Sequence, residues 1–321
     1  MRDLIAAIDA AEARIRPHIR ETALEYSPLL SQQIGAEIWL KCEHLQYTGS
    51  FKVRGALNAL LSLPAAERER GVIAASSGNH GAAVAFGAQA LGVRATIIVP
   101  THVSPTKLAA IQQYGAEVVL HGDDGLIAEL HARELAAQQG LHYISPYNDW
   151  DVVAGQGTLG VELVRQLPHF DAIGIAVGGG GLVAGTASYL RSVAPELLVV
   201  GCQPSHSPVM AESVAAGRIL DLPELPTLSD GTAGGIEAET ITFPICQQVI
   251  SWFEQVPEVA IAAAMRLLIE RHHTLVEGAA GVALAGIQQA AARLQGKRVV
   301  IVLCGANLSL TTLKKALDLG I

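Results

Sequence analysis

A chain of 321 residues, half of them apolar and only 16% charged, has enough hydrophobic side chain for a large buried core and length for about two domains. A mean hydropathy of +0.35 excludes a disordered tail, and a formal charge of −8 disfavours a general nucleic-acid or anionic-membrane surface. Cys42, Cys202, Cys246 and Cys304 are scattered with no CxxC pair, which argues against a zinc ribbon or a disulfide-stapled scaffold and suits a reducing, cytoplasmic setting.

In the opening MRDLIAAIDAAEARIRPHIR, Asp3, Asp9 and Glu12 interrupt any signal-peptide core, while Leu4, Ile5, Ile8 and Ile15 recur at helical spacing. No run approaches the ~18 consecutive apolar residues of a membrane span, so a soluble protein is expected. Strands are predicted at Glu37–Cys42, Val72–Ala75, Arg94–Val99, Glu117–Leu120, Ala172–Val177, Leu197–Cys202 and Arg298–Leu303. Helices are predicted at Gly78–Leu91, Pro105–Tyr114, Asp124–Gln139, Gly155–Gln166, Leu182–Val193 and Val259–Glu270. Apolar strands alternating with helices predict an α/β protein with parallel sheet buried on both faces. Val72 to Ile144 forms a strand–helix alternation of its own, framed by Leu63-Pro64 and by the turn Ser145–Asp149. A small domain over 70–147 is therefore expected, inserted into a larger one of 1–64 and 150–321, with a small-molecule site in the cleft between them.

Three segments carry chemistry. Gly178-Gly179-Gly180-Gly181 follows the strand AIGIAV and precedes the helical LVAGTASYL, so its backbone can approach an anion at a helix N-terminus. A tight turn alone is the plainer reading, but an anion cradle, most simply for a phosphate, is favoured. A dinucleotide is disfavoured, because the acid expected at the end of the next strand is Gln203. The turn Ser76-Ser77-Gly78-Asn79-His80-Gly81 opens a second helix, either as an ordinary cap or as a second anion site for a carboxylate. Lys52, between Phe51 and Val53 and with Arg54 close by in sequence, heads a third helix, ALNALLSL. A solvated lysine is the default, yet an apolar and cationic neighbourhood would lower its pKa and make it a nucleophile for a carbonyl.

TGSFKVRGA, SSGNHG and GGGGL in that order, followed by EGAAGV and LCGAN, resemble the motifs of the fold type II pyridoxal-phosphate enzymes. Within that group the chain is most similar to the threonine/serine dehydratases and serine racemase, along nearly its whole length. The resemblance implies a tryptophan synthase β-like architecture, two parallel-rich sheets with flanking helices, and pyridoxal 5′-phosphate as cofactor. It implies that Lys52 forms the Schiff base with the cofactor, that Phe51 packs on the ring, and that Gly178, Gly179, Gly180, Gly181 and Leu182 hold the phosphate. Asn79 would reach the ring's 3-oxygen, Cys304 would face the ring nitrogen, and Glu277 would support the ring. Ser76, Ser77, Asn79 and His80 would receive the substrate carboxylate, with Tyr147 lining the substrate side. The implied reaction is elimination of water from a β-hydroxy amino acid such as L-threonine or L-serine to give a 2-oxo acid and ammonia, with Lys52 as the base. A homodimer is also implied.

Departures from the pattern refine this. Ser77 stands where a racemase needs its second acid–base group, so racemisation is the alternative reading. Tyr47 replaces the nucleotide-contacting lysine of the animal racemases, and Gln203 and Val209 replace the acids of their divalent-metal site, so no metal is expected there. His206 is a lone loop histidine. His44, in place of the family's asparagine, is expected to alter packing near the site entrance. Tyr147 and the loop Leu228–Glu239 are expected to tune the choice of β-hydroxy substrate. The chain stops soon after LCGAN and one helix, so no appended regulatory domain is expected.

Overall fold

The strand segments are apolar along their whole length rather than at alternate positions, and the structure covers them on both faces: all of Ala172–Ala176 and four of the five residues of Arg298–Val302 are buried. The structure, a computed structural model, describes residues 3–320. Its strands are β1 (Leu24–Tyr26), β2 (Glu37–Lys41), β3 (Val72–Ala75), β4 (Ala95–Val99), β5 (Glu117–Leu120), β6 (His142–Tyr143), β7 (Ala172–Ala176), β8 (Leu198–Pro204), β9 (Trp252–Val256) and β10 (Arg298–Val302).

They form two sheets flanked by helices. The larger has the order β1-β2-β10-β7-β8-β9 and the smaller β5-β4-β3-β6. Every pairing is parallel except β1 with β2. The C-terminal strand β10 lies between β2 and β7, with Val299 in register with Ile38 on one side and Ala172 on the other. This insertion brings the ends of β2, β7 and β10 together, and the loops after β7 and β10 carry two of the sequence motifs.

The predicted strands and helices form with boundaries moved by a few residues, apart from one helix start. The helix expected at Gly155 begins at Trp150, where the Asp149 carboxylate accepts from the Asp151 and Val152 N–H groups. Gly155 does not open the helix but lets it cross another closely: a Cβ there would lie 2.6 Å from Arg54 O and 2.7 Å from Gly55 Cα. Two strands escaped prediction: β1 has three residues, and β9, on the sheet edge, is half-buried and charged at Glu254. The two-residue β6 is the last strand of the alternation expected to run to Ile144.

The two main apolar clusters sit against the two sheets. The one against the smaller sheet combines Val72, Ala74, Ile97 and Val99 with Val53, Leu57 and Leu60 of the helix Lys52–Ser62 and with Ile15, Ile19 and Val152. The helix that begins at Lys52 thus shares the smaller sheet's apolar cluster, while backbone bonds just before it reach the end of β10 in the larger sheet. Among the described residues, no helix is long and apolar enough to cross a membrane.

Candidate active site

Backbone pairing to the end of β10 fixes the lysine segment. Ser50 bridges Gly305, Ala306 N–H donates to Gly49 O, and Phe51 N–H donates to Cys304 O at 3.0 Å. Lys52 follows as the first helical residue, and its Nζ donates to Pro146 O at 2.9 Å and lies 5.2 Å from the Phe51 ring centroid. Burial strips hydration from the ammonium and lowers its pKa to about 8, with the Cys304 and Glu277 side chains opposing the shift.

The cationic neighbour expected from the sequence plays no part in this. Arg54 turns away from Lys52 and is fully buried. It forks onto Glu43 with two bonds of 2.8 Å and donates to Glu162 at 3.0 Å and to Thr158 at 3.2 Å. Residues two apart on a helix point about 200° from each other, so nearness in sequence did not place the two cations together. Glu162 also receives Arg16 at 2.7 Å and the buried Lys41 ammonium. This network anchors the lysine-bearing helix beneath the cavity floor.

The glycine run after β7 makes a cradle. Gly180 has φ +85°, a conformation glycine adopts without strain, and Gly181 begins the helix Gly181–Val193. A Cβ at Gly179 would fall on the Tyr147 ring, and one at Gly180 would lie 2.8 Å from Cys246 Sγ. Thr242 Oγ1 donates to Gly179 O at 2.6 Å and holds the loop's shape. The N–H groups of the first helical turn have no intrahelical partner and a positive dipole end behind them, which suits a phosphate.

Opposite lies the turn after β3. Ser76 Oγ accepts from Gly78 N–H at 3.2 Å, and Asn79 starts the helix Asn79–Leu91. His80 Nε2 donates to Ile144 O at 2.9 Å, so the ring is the Nε2–H tautomer. Burial, helped by the Lys52 charge, lowers its pKa to about 3 and keeps it neutral. Asn79 Nδ2 donates to both carboxylate oxygens of Glu277, at 2.8 and 3.0 Å, and Asn79 Oδ1 accepts from Asn307 Nδ2 at 2.7 Å. Burial raises Glu277 to about 7, against the bonds from Asn79 and Asn307 N–H. A side chain on Gly305 would meet that carboxylate at 2.6 Å. Cys304 is buried, and desolvation with the nearby Glu277 carboxylate holds it as a neutral thiol.

All of these segments open on one cavity of about 470 Å³. Phe51, Lys52, Ser76, Ser77, Asn79, His80, Tyr147, the four glycines, Leu182, Glu277 and Cys304 all line it. Three further lining residues were not singled out from sequence. Asn307 lay within the LCGAN motif, its one available signal. Asp230 lay within the loop Leu228–Glu239, singled out only as a whole, and Lys107 gave no signal: the two pair at 2.7 Å and tie the helix Pro105–Gln112 to that loop. His44, expected near the entrance, does not line the cavity, and its Nε2 bonds to Thr274 Oγ1 at 2.9 Å. Tyr47 stacks on Phe86 with Arg20 over its other side. Gln203 is buried and its Oε1 accepts from Ala211 N–H, while His206 Nδ1 bonds to Pro226 O.

A family model described as pyridoxal-phosphate dependent enzyme matches residues 15–305. The chain belongs to this family of pyridoxal-phosphate dependent enzymes. Members use pyridoxal 5′-phosphate, and the residues present fit it: a desolvated lysine for its aldehyde, a side-chain-free cradle for its phosphate and a neutral thiol at the strand end between them. An L-threonine ammonia-lyase of Thermotoga maritima is 37% identical over 98% of this chain and 78% of its own length. A processed threonine deaminase from Solanum lycopersicum superposes with a TM-score of 0.94 at 34% identity, covering 99% of this chain and 94% of that one. Maize serine racemase superposes at 0.92 with 30% identity, covering 97% and 96%. This pyridoxal-phosphate enzyme is therefore similar both to lyases and to a racemase.

Proposed function

We propose that the chain is an ammonia-lyase that removes water from a β-hydroxy amino acid such as L-threonine or L-serine, yielding 2-oxobutanoate or pyruvate and ammonia. The observation that carries this is the desolvated Lys52 amine in one cavity with the glycine cradle on one side and the Ser76–His80 turn on another. When bound, pyridoxal phosphate draws electron density from the substrate's Cα. Lys52 would hold the cofactor's aldehyde carbon and, once released by the substrate amine, take the Cα proton at Nζ; a base of pKa about 8 is matched to neutral pH. Gly178–Gly181 and Leu182 would bind the phosphate, Phe51 would pack on the ring, and Asn79 would donate to the ring oxygen, with Glu277 supporting it.

Cys304 would sit at the ring nitrogen. A neutral thiol does not protonate that nitrogen as a carboxylic acid would, which limits charge build-up and favours prompt loss of the β-hydroxyl. Ser76, Ser77, Asn79 and the neutral His80 would seat the substrate carboxylate, with Tyr147 bordering the side-chain space. In this reading residues 70–147 close over the substrate and 1–64 with 150–321 carry the cofactor. The working form is a cytoplasmic homodimer whose only partner in the reaction is the amino acid.

The second reading, racemisation, is supported by Ser77, which lines the same cavity and could exchange a proton with Cα. Incubation of holoenzyme with L-threonine and L-serine, scoring 2-oxo acid, ammonia and D-amino acid, decides between them. Oxo acid and ammonia in equal amounts, outpacing any D-isomer and lost in Lys52→Ala, is the expected result. D-serine without oxo acid would replace the lyase by the racemase, and no turnover of either substrate would overturn the proposal.

A further inference from the structure

Asn79 is already committed before any ligand is considered. Its Nδ2 donates to both oxygens of Glu277, and its Oδ1 accepts from Asn307 Nδ2. The direction of the amide follows from chemistry: the Thr48 carbonyl only accepts, which turns Asn307's NH₂ toward it and toward Asn79, and an NH₂ only donates, so Asn79 presents Oδ1 to Asn307 and Nδ2 to Glu277. Asn307 is held in turn by donation from its Nδ2 to Thr48 O at 2.7 Å and from its backbone N–H to Glu277 Oε2 at 3.0 Å. Glu277 stands at the N-cap position of the helix Gly278–Gln289, with its carboxylate turned to Asn79 and Asn307 rather than to the helix N–H groups, and its own N–H donates to Gly305 O. The three residues close a ring of hydrogen bonds on the cavity wall, its last link made by the Asn307 backbone N–H, and are drawn from three segments of the chain.

We infer that Glu277 and Asn307 are positioning residues that set Asn79 as a donor toward the cofactor's ring oxygen. With the carboxylate taking one Nδ2–H and Asn307 fixing Oδ1, the other Nδ2–H is left for the cavity. An Asn79 released from this ring could present Oδ1 instead, setting two acceptors against each other. This rests on the assignment of Asn79 to the ring oxygen. Charged or titratable groups facing Glu277 are Asp230 and Lys107 of the cavity wall, with Lys52 and Cys304 on its other side.

The test is a double-mutant cycle on holoenzyme, reading the rate of cofactor release into a trap and the visible absorbance of the bound cofactor between pH 6 and 9, conditions chosen to span about one unit either side of the neutral range. Asn79→Ala and Glu277→Ala are each expected to speed release about 10-fold, and the double variant about 10-fold rather than about 100-fold. Glu277→Asp, which keeps the acceptor, should recover part of the loss; Glu277→Gln, whose single oxygen cannot serve both donors, should not. If the two single effects multiply, Glu277 does not act through Asn79 and the inference falls. If Asn79→Ala leaves both absorbance and release unchanged, the assignment of Asn79 to the ring oxygen is itself wrong. Should Glu277→Ala not fold, the Glu277→Gln and Asn307→Ala cycles with Asn79→Ala carry the same readout.

Discussion

Lys52 Nζ donates to the carbonyl oxygen of Pro146, 94 residues further along the chain, at 2.9 Å. The bond joins the start of the helix Lys52–Ser62, tied through Phe51 to the end of β10 in the larger sheet, to the turn following β6 of the smaller one, so the position of the amine depends on how the two sheets are set against each other. An amine fixed this way, out of water and beside an acceptor, is ready to be released to a carbonyl carbon.

The first prediction concerns its protonation. Only the neutral amine attacks an aldehyde, and burial lowers Lys52 from 10.5 to about 8. In protein stripped of cofactor, the rate of pyridoxal phosphate uptake should rise with pH up to about 8 and level off above it. An unperturbed lysine would gain roughly another hundredfold before levelling. The growth of visible absorbance after mixing measures this rate, and Lys52→Ala should show none at any pH.

A second concerns the buried ion network. Burial favours a neutral Glu162, but Arg54 and Lys41 outweigh it and hold the carboxyl at about 2 against an ordinary 4.5. A depressed carboxylate stabilises the folded state above its unfolded pKa, and that contribution drains away as pH falls from about 4.5 through 2. Glu162→Gln leaves Lys41 and Arg54 short of a buried counter-charge and should cost about 3–5 kcal/mol at neutral pH. Urea unfolding should show this as a lower midpoint, with a flatter acid limb than the parent. An unchanged midpoint at pH 7 would show that the network contributes nothing net.

Substrate choice supplies the third. Tyr147 lines the cavity against Gly179 and Gly181, and its hydroxyl accepts from Glu237 N–H at 3.1 Å, which couples it to the 228–239 loop. Tyr147→Ala should raise kcat/KM for phenylserine relative to threonine and serine, by about 10-fold for the added room. Tyr147→Phe keeps the ring and should leave the ratios near the parent's. Steady-state rates on the three substrates check this; identical ratios in Tyr147→Ala would remove Tyr147 from specificity.

Much of the site was legible because its chemistry lies in short contiguous runs. A phosphate cradle is made of backbone, so four consecutive glycines between a strand and a helix announce it without knowledge of anything distant. The lysine in SFK and the SSGNH turn were found the same way. Contacts made between runs were not. Asn79 and Glu277 stand 198 residues apart and meet where the turn after β3 of the smaller sheet faces Glu277, whose N–H pairs with Gly305 O just after β10 of the larger sheet. The pairing of Lys107 with Asp230 carried no signal, although Asp230 lies in the loop singled out as tuning substrate choice, since a surface charge has the same local pattern whether or not it finds a partner.

By itself the sequence determined the alternation of strands and helices, hence parallel sheet, and the side chains able to handle an anion and a carbonyl, because hydrophobic period and turn chemistry act over a few residues; the division into two sheets was implied only by the resemblance of its ordered motifs to a known family. The tertiary structure alone decided where Arg54 points, which acceptor holds Lys52 and which way the Asn79 amide faces. Those depend on helix rotation and sheet order, and a hydrogen bond is sensitive to tenths of an ångström that no local pattern encodes.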